Sequence, residues 1–131
     1  MTIERHGSGS PFEARVGYCR VVRAGDMLFV AGCTSTGADG VVLYPGDAYA
    51  QAHQALTNVG TALSLAGATF ADVVRSRIYV TDISRWEDVG RAHAEVFGQA
   101  PPAATMVQVG ALIDPRMLVE FEVDAYVPAP P

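Results

Sequence analysis

The chain has 131 residues, half of them apolar, with a formal charge of −5 and a pI near 5.0. That length supports one domain with a substantial core and not two, so residues 1–131 are read as a single domain. The acidic balance, with no run of Lys or Arg, lacks the basic stripe of a nucleic-acid binder.

In chain order, the start MTIERHGSGSPFEAR is polar and carries no apolar run of signal-peptide length. Residues 1–14 are expected to be a loose end, as are residues 128–131. Tyr18 to Val22 and Met27 to Cys33 are β-rich runs joined by Arg-Ala-Gly-Asp, which predicts a hairpin. TSTGADG follows as an exposed turn, because its residues tolerate left-handed backbone or bond their own main chain.

From Asp47 the period changes. Tyr49, Ala52, Leu56, Val59, Leu63 and Ala66 recur every three or four residues, predicting a helix capped by Asp47 and ended by Gly67. Val73 to Val80 returns to strand composition, with Ser76, Ile78 and Val80 on one face and Arg75, Arg77 and Tyr79 on the other. Ser84 and Glu87 have capping-box spacing, and Trp86, Val89, His93, Val96 and Phe97 form the apolar stripe of a second helix. Pro101-Pro102 ends it, and strands follow at Ala103 to Val109 and Leu118 to Val127.

The order ββαβαββ implies an α+β layer in which two amphipathic helices cover one face of a mixed sheet. The other face carries Arg75, Arg77, Glu120, Glu122 and Asp124 together with Tyr79, too polar for a second core yet not simply solvated, which fits a subunit interface. Same-face carboxylates on one strand stand about 7 Å apart, close enough to disfavour one another's ionisation when partly buried. Cys19 and Cys33 lack CxxC spacing and a His partner, so they read as reduced thiols, with neither a disulfide framework nor a metal site. The longest apolar runs are strand-sized, so no membrane partner and a cytoplasmic location are expected.

In order along the chain, FVAGC, AQAHQALTNVGTALSLAGA, DVVRSRIYVTDI, WEDVGRAHAEVFG, PPAATMVQV and LVEFEVDAY resemble the RidA/YjgF family, also called L-PSP, from about Gly17 to Tyr126. The resemblance implies a chorismate-mutase-like fold and a homotrimer with small-molecule clefts between neighbouring subunits. It also implies hydrolysis of reactive enamines or imines without metal or organic cofactor. Glu120 matches the glutamate that positions or activates the attacking water, a role that needs a carboxylate within hydrogen-bond reach. Tyr18 matches a tyrosine that can bond substrate or water, and Gly32 falls in the family's Ser-Gly-Gln position, where backbone groups face the ligand.

Three departures bear on the substrate. The deaminase turn Pro-Ala-Arg-Ser, whose arginine forks a substrate carboxylate, reads Pro102-Ala103-Ala104-Thr105 here. A charge-assisted bidentate pair of that kind contributes roughly 1.5 to 3 kcal/mol, so its absence implies a different substrate. Gly90 stands where the family has an asparagine, and Ser-Gly-Gln has become Ala31-Gly32-Cys33, which makes the pocket more apolar. His93 reads first as a hydrogen-bonded core histidine and second as a cleft-edge acid or base. Cys33 reads as a buried, unreactive thiol beside the cleft, and Arg77 as an ion-paired residue with a secondary claim to the site.

The expected function is therefore hydrolytic deamination of a small enamine or imine that is not the usual 2-imino acid. The alternatives are a trimeric protein that binds small ligands or partners without turnover, and an aminomuconate-type deaminase. RNA cleavage is the least consistent with the acidic surface.

Overall fold

Alternating and helical apolar periods divide the work between a sheet and two long helices. The computed structural model describes residues 2–128. Strands β1 (Ile3–His6), β2 (Val21–Ala24), β3 (Met27–Cys33), β4 (Val73–Val80), β5 (Ala103–Gln108) and β6 (Val119–Tyr126) form one mixed sheet in the order β1-β2-β3-β6-β4-β5. The pair β4–β5 is parallel and the other pairs are antiparallel. The parallel crossover carries α3 (Trp86–Phe97), and α2 (Ala48–Leu65) connects β3 to β4. A short helix, α1 (Pro11–Val16), precedes β2.

Alternation along β6 works as read. Val119, Phe121, Val123 and Ala125 are fully buried, whereas Glu120, Glu122 and Asp124 face the other way and are partly exposed. Leu56, Val59 and Leu63 of α2 and Val89 and Phe97 of α3 meet that buried row. Each such side chain contributes roughly 1.5–3 kcal/mol by leaving water. Asp47 caps α2, its carboxylate accepting from the Ala50 amide at 2.9 Å, and Gly67 takes the left-handed conformation (φ 75°) beyond the helix end.

Gln51 is a buried polar residue inside this core, and all its polar ends are used. Its Nε2 donates to the carbonyls of Tyr44 and Arg116, and its Oε1 accepts from the Leu118 amide at 2.8 Å. These bonds tie the loops before α2 and before β6 to the helix.

Four expectations need correction. The expected loose end at residues 1–14 is not seen in its described part: Ile3–His6 pair with β2, and Ser10 and Glu13 form a capping box that starts α1 with Pro11 at its first position. The first hairpin strand begins at Val21, not at Tyr18. The Ser84–Glu87 box does not form, because the Ser84 hydroxyl donates to Asp82 at 2.7 Å and Asp82 caps a 3₁₀ turn over Ile83–Arg85. Trp86 then falls in the first turn of α3 and is 55% exposed, not buried. The expected looseness of residues 129–131 lies outside the described residues. No helix among the described residues is long and apolar enough to cross a membrane.

Candidate functional site

The site is built where β3 departs from regular pairing. Val30 pairs with Val123 and Cys33 with Phe121, so Ala31 and Gly32 together stand opposite Glu122. That is one extra residue, a bulge of the kind that re-aims side chains. Gly32 faces β6 at the bulge, and a Cβ added there would lie 2.8 Å from Cδ of Glu120. The absent side chain is what leaves room for this carboxylate to lie over the main chain of β3.

Arg20, just before β2, closes the other side. Its Nη1 donates to the Gly32 carbonyl at 2.7 Å and the Ala31 carbonyl at 3.2 Å, and reaches the Cys33 thiol at 3.6 Å. Its Nη2 donates to the Tyr18 hydroxyl at 3.2 Å, and its guanidinium carbon lies 5.4 Å from the Tyr18 ring centroid. Tyr18, Gly32, Cys33 and Glu120, all expected in the site, are thus brought together. Arg20 was not expected. The available signal was parity: Tyr18 and Arg20 are two residues apart in extended chain and so share a face.

The electrostatics follow from burial. Burial raises the Glu120 carboxyl above the ordinary glutamate range, the Glu122 charge raises it further, and Arg20 opposes both. Burial also raises the Cys33 thiol; Arg20 counters this through its charge and hydrogen bond, and the Glu120 charge adds to the rise. Cys33 is only 5% exposed, which agrees with an unreactive buried thiol.

The remaining candidates lie elsewhere. Arg77 is engaged on the polar face, 3.1 Å from Asp124 and 3.9 Å from Glu122, and Tyr79 donates to Glu122. Thr105 pairs with Arg77, so it continues that row onto the edge strand. Ala104 pairs with Ser76, which is fully buried on the helix side, so Ala104 and Glu120 occupy opposite faces of the sheet. Gly90 is half-buried in α3, and a Cβ added there would meet open space. Arg116 is forked by Asp114, at 2.7 and 3.0 Å.

His93 corrects its expectation in one respect. Its ring lies tilted against Phe97 and stacked with Phe121, with centroids 4.6 and 6.2 Å away, but its buried Nε2 has no hydrogen-bond partner. Burial holds its pKa below the ordinary imidazole value. A broad groove of about 600 Å³ lies apart from the Glu120 site, lined by His53, Thr57, Thr61 and Phe70 among others. The Thr57 and Thr61 hydroxyls there are bonded to carbonyls of their own helix. Among the described residues no group of three or more His, Cys, Asp or Glu side chains converges as a metal site requires.

Comparison with known proteins bears on the family and the fold. The sequence matches the family described as Endoribonuclease L-PSP over residues 9–127. Rv2704 of Mycobacterium tuberculosis, a member of the YjgF/YER057c/UK114 family, is 52% identical; its structure matches with a TM-score of 0.87 over 96% of this chain and 100% of that one. SCO2049 of Streptomyces coelicolor, an uncharacterized protein, is 38% identical over 125 residues, 95% of this chain and 92% of its own. The RutC family protein PH0854 of Pyrococcus horikoshii is 32% identical over 110 residues, covering 83% of this chain and 86% of its own. With the fold and nearly the whole sequence in register, the chain belongs to the RidA/YjgF family, also called L-PSP.

Proposed function

We propose that the protein hydrolyses a small imine or enamine that lacks an α-carboxylate, in a cleft shared between copies of the chain, with Glu120 activating the water. The observation that carries this reading is the half-buried Glu120 carboxylate over Gly32, with Tyr18 and Arg20 beside it. In the proposed step a water bonded to Glu120 attacks the imine carbon. A C–O bond forms, the C=N π pair moves to nitrogen, and the carboxylate takes the water's proton and passes it on to that nitrogen. In the resulting carbinolamine the same carboxylate takes the hydroxyl proton and delivers it to the amine nitrogen, the C–N bond breaks with its electron pair going to nitrogen, and a carbonyl compound and ammonia remain. A general base contributes about 10²–10⁴-fold to such a step, most effectively when its pKa is raised toward the working pH, as burial does here.

The substrate class follows from charge. Ala104 offers no cation and Glu120 is itself an anion, so a carboxylate on the substrate would meet repulsion and no fork. An imine derived from an amine suits this better than one derived from an amino acid.

A homotrimer is part of the proposal. The polar face also exposes Phe29, Val107 and Tyr126, each 42–50% exposed, as a surface covered by neighbouring subunits would. Because Ala104 and Glu120 lie on opposite faces, a cleft lined by both positions needs two copies of the chain. Sedimentation should then report three times 13.8 kDa.

The test is ammonia release from imines generated in place by amine and amino-acid oxidases. Acceleration lost in Glu120→Gln supports the proposal. Binding of metabolites without turnover of any imine would favour the non-catalytic alternative, and turnover confined to aminomuconate would favour the ring-cleavage deaminase.

A further inference from the structure

Arg77 pairs with Glu122 and Asp124 on the acidic face, and a second cation, Arg20, stands at the Glu120 end. Arg20 uses Nη1 to hold the two carbonyls of the β3 bulge and contact the Cys33 thiol, and Nη2 to hold the Tyr18 hydroxyl. The backbone reinforces the arrangement, since the Ala31 amide donates to the Arg20 carbonyl at 3.0 Å. We propose that Arg20 is the positioning residue of this site, binding Tyr18, the Ala31–Gly32 main chain and Cys33 into one assembly that faces Glu120. This rests on the reading of Glu120 as the water-activating group.

Three observations converge on that role. First, Glu120 lies over Gly32, the residue whose carbonyl Arg20 holds, so any shift of the bulge displaces the carboxylate's seat. Second, the groups facing Glu120 are few. Arg20 stands on the β2 side, Cys33 on β3, Tyr79 on β4 in direct register, and Glu122 on β6 itself. Of these only Arg20 is cationic, and it acts on Glu120 through space, against burial and against Glu122.

Third, the Arg20 charge acts through space on two acidic groups, Glu120 and a second one. Glu13 of α1 is the second, its carboxylate accepting from the Ser8 and Ser10 amides at 3.1 and 3.2 Å and from the Ser8 hydroxyl. Burial works against the Glu13 charge, but these bonds and Arg20 bring its pKa below the ordinary value. The amino-terminal segment therefore supplies an anion within electrostatic reach of the arginine. Because Nη1 is committed to the main chain, Arg20 is a fixed element of the wall and not a free clamp for a substrate carboxylate.

The experiment is a ¹³C titration of the Glu120 carboxyl, assigned by its disappearance in Glu120→Gln, in the wild-type chain and in Arg20→Gln and Arg20→Lys. Arg20→Gln should titrate higher by about half a pH unit or more, as loss of a nearby opposite charge requires. Arg20→Lys should stay close to wild type in titration, yet lose about tenfold in kcat with little change in KM, because charge remains while the fork is gone. The same Glu120 titration in folded Arg20→Gln as in wild type would overturn the proposal. Should Arg20→Gln not fold, the wild-type chain still decides. The Arg20 guanidinium nitrogen signals must move at the pH where Glu120 titrates, and signals indifferent to that pH would refute the assembly. Absence of imine turnover with a titration that follows Arg20 would sink the proposed reaction alone. Turnover with a titration that ignores Arg20 would sink this inference alone.

Discussion

Gly32→Ala isolates the position of Glu120 from the stability of the fold. The new Cβ would stand 2.8 Å from Cδ of Glu120 and 3.1 Å from its Cγ. Carbon atoms rest at about 3.5 Å or beyond, so the carboxyl group must retreat by about 0.7 Å or more. Gly32 does not use left-handed backbone, so alanine brings no φ penalty, and the group it displaces is the movable end of a partly exposed side chain. The loss of stability should stay near 1 kcal/mol, at the low end for overpacking. A misplacement of that size costs activity far more, about 10²-fold where a reacting group must be held to within a fraction of an ångström. Thermal melts and imine-dependent ammonia release, run on the same preparations, read the two effects separately. Wild-type turnover in a folded Gly32→Ala chain would show that the seat of Glu120 over Gly32 is not its working position.

Further outcomes follow from burial and charge. Glu120 has a folded pKa above its unfolded value, so its contribution to stability is complete below the unfolded pKa and lost as pH rises through the folded one. Glu120→Gln should therefore be more stable than wild type at pH 7, by about 0.5 kcal/mol after allowing for partial exposure, with the difference vanishing near pH 4; urea midpoints at both pH values check this. His93 has the opposite sign: its depressed folded pKa gives stability that is present above 6.5 and lost as pH falls through the folded value. His93→Phe should flatten that acid limb and gain up to about 1 kcal/mol by removing the unpartnered Nε2, read from urea midpoints at pH 7.5 and 5.5. Gln51→Leu should cost about 2–3 kcal/mol, because the Leu118 amide and the carbonyls of Tyr44 and Arg116 lose their partner; hydrogen exchange at Leu118 should accelerate with it.

The parts of the fold that were legible were those written in local period. The bounds of β3 and β4, the body of α2 and the two faces of β6 follow from alternation, from helical spacing and from Asp47 as a cap. The amino-terminal strand was hidden because IERH has no apolar face and depends on β2 for its pairing. The helix after it was legible in principle, since Ser10, Pro11 and Glu13 are a capping box with proline at the first position. Helical spacing misplaced Trp86 because a wheel gives a residue's direction and not how far packing extends along the helix, and Trp86 is its first residue.

The site divides in the same way. Glu120, Tyr18 and Gly32 were found through resemblance and parity, and their meeting depends on the β3 bulge, which no local pattern announces. Arg20 escaped because a lone arginine in a strand reads as an edge charge until the strand beside it is known. Ala104 looked like the missing companion of Glu120, yet register sets it on the opposite face beside Ser76. What appeared in sequence to be a gap next to the carboxylate is, within one chain, a gap on the other side of the sheet.

The central claim is hydrolysis of an imine without an α-carboxylate by water held at Glu120. The most direct measurement is the kcat/KM for ammonia release from two imines of equal carbon skeleton, one made by an amine oxidase and one by an amino-acid oxidase, for wild type and Glu120→Gln. The wild-type chain should favour the imine without the carboxylate, by about tenfold or more, because a carboxylate brought beside Glu120 would lose hydration and meet repulsion with no fork to offset either, a cost of about 1.5 kcal/mol or above. Glu120→Gln should lose about 10²-fold or more on that substrate. A preference for the imino acid, or equal rates for wild type and Glu120→Gln, would contradict it.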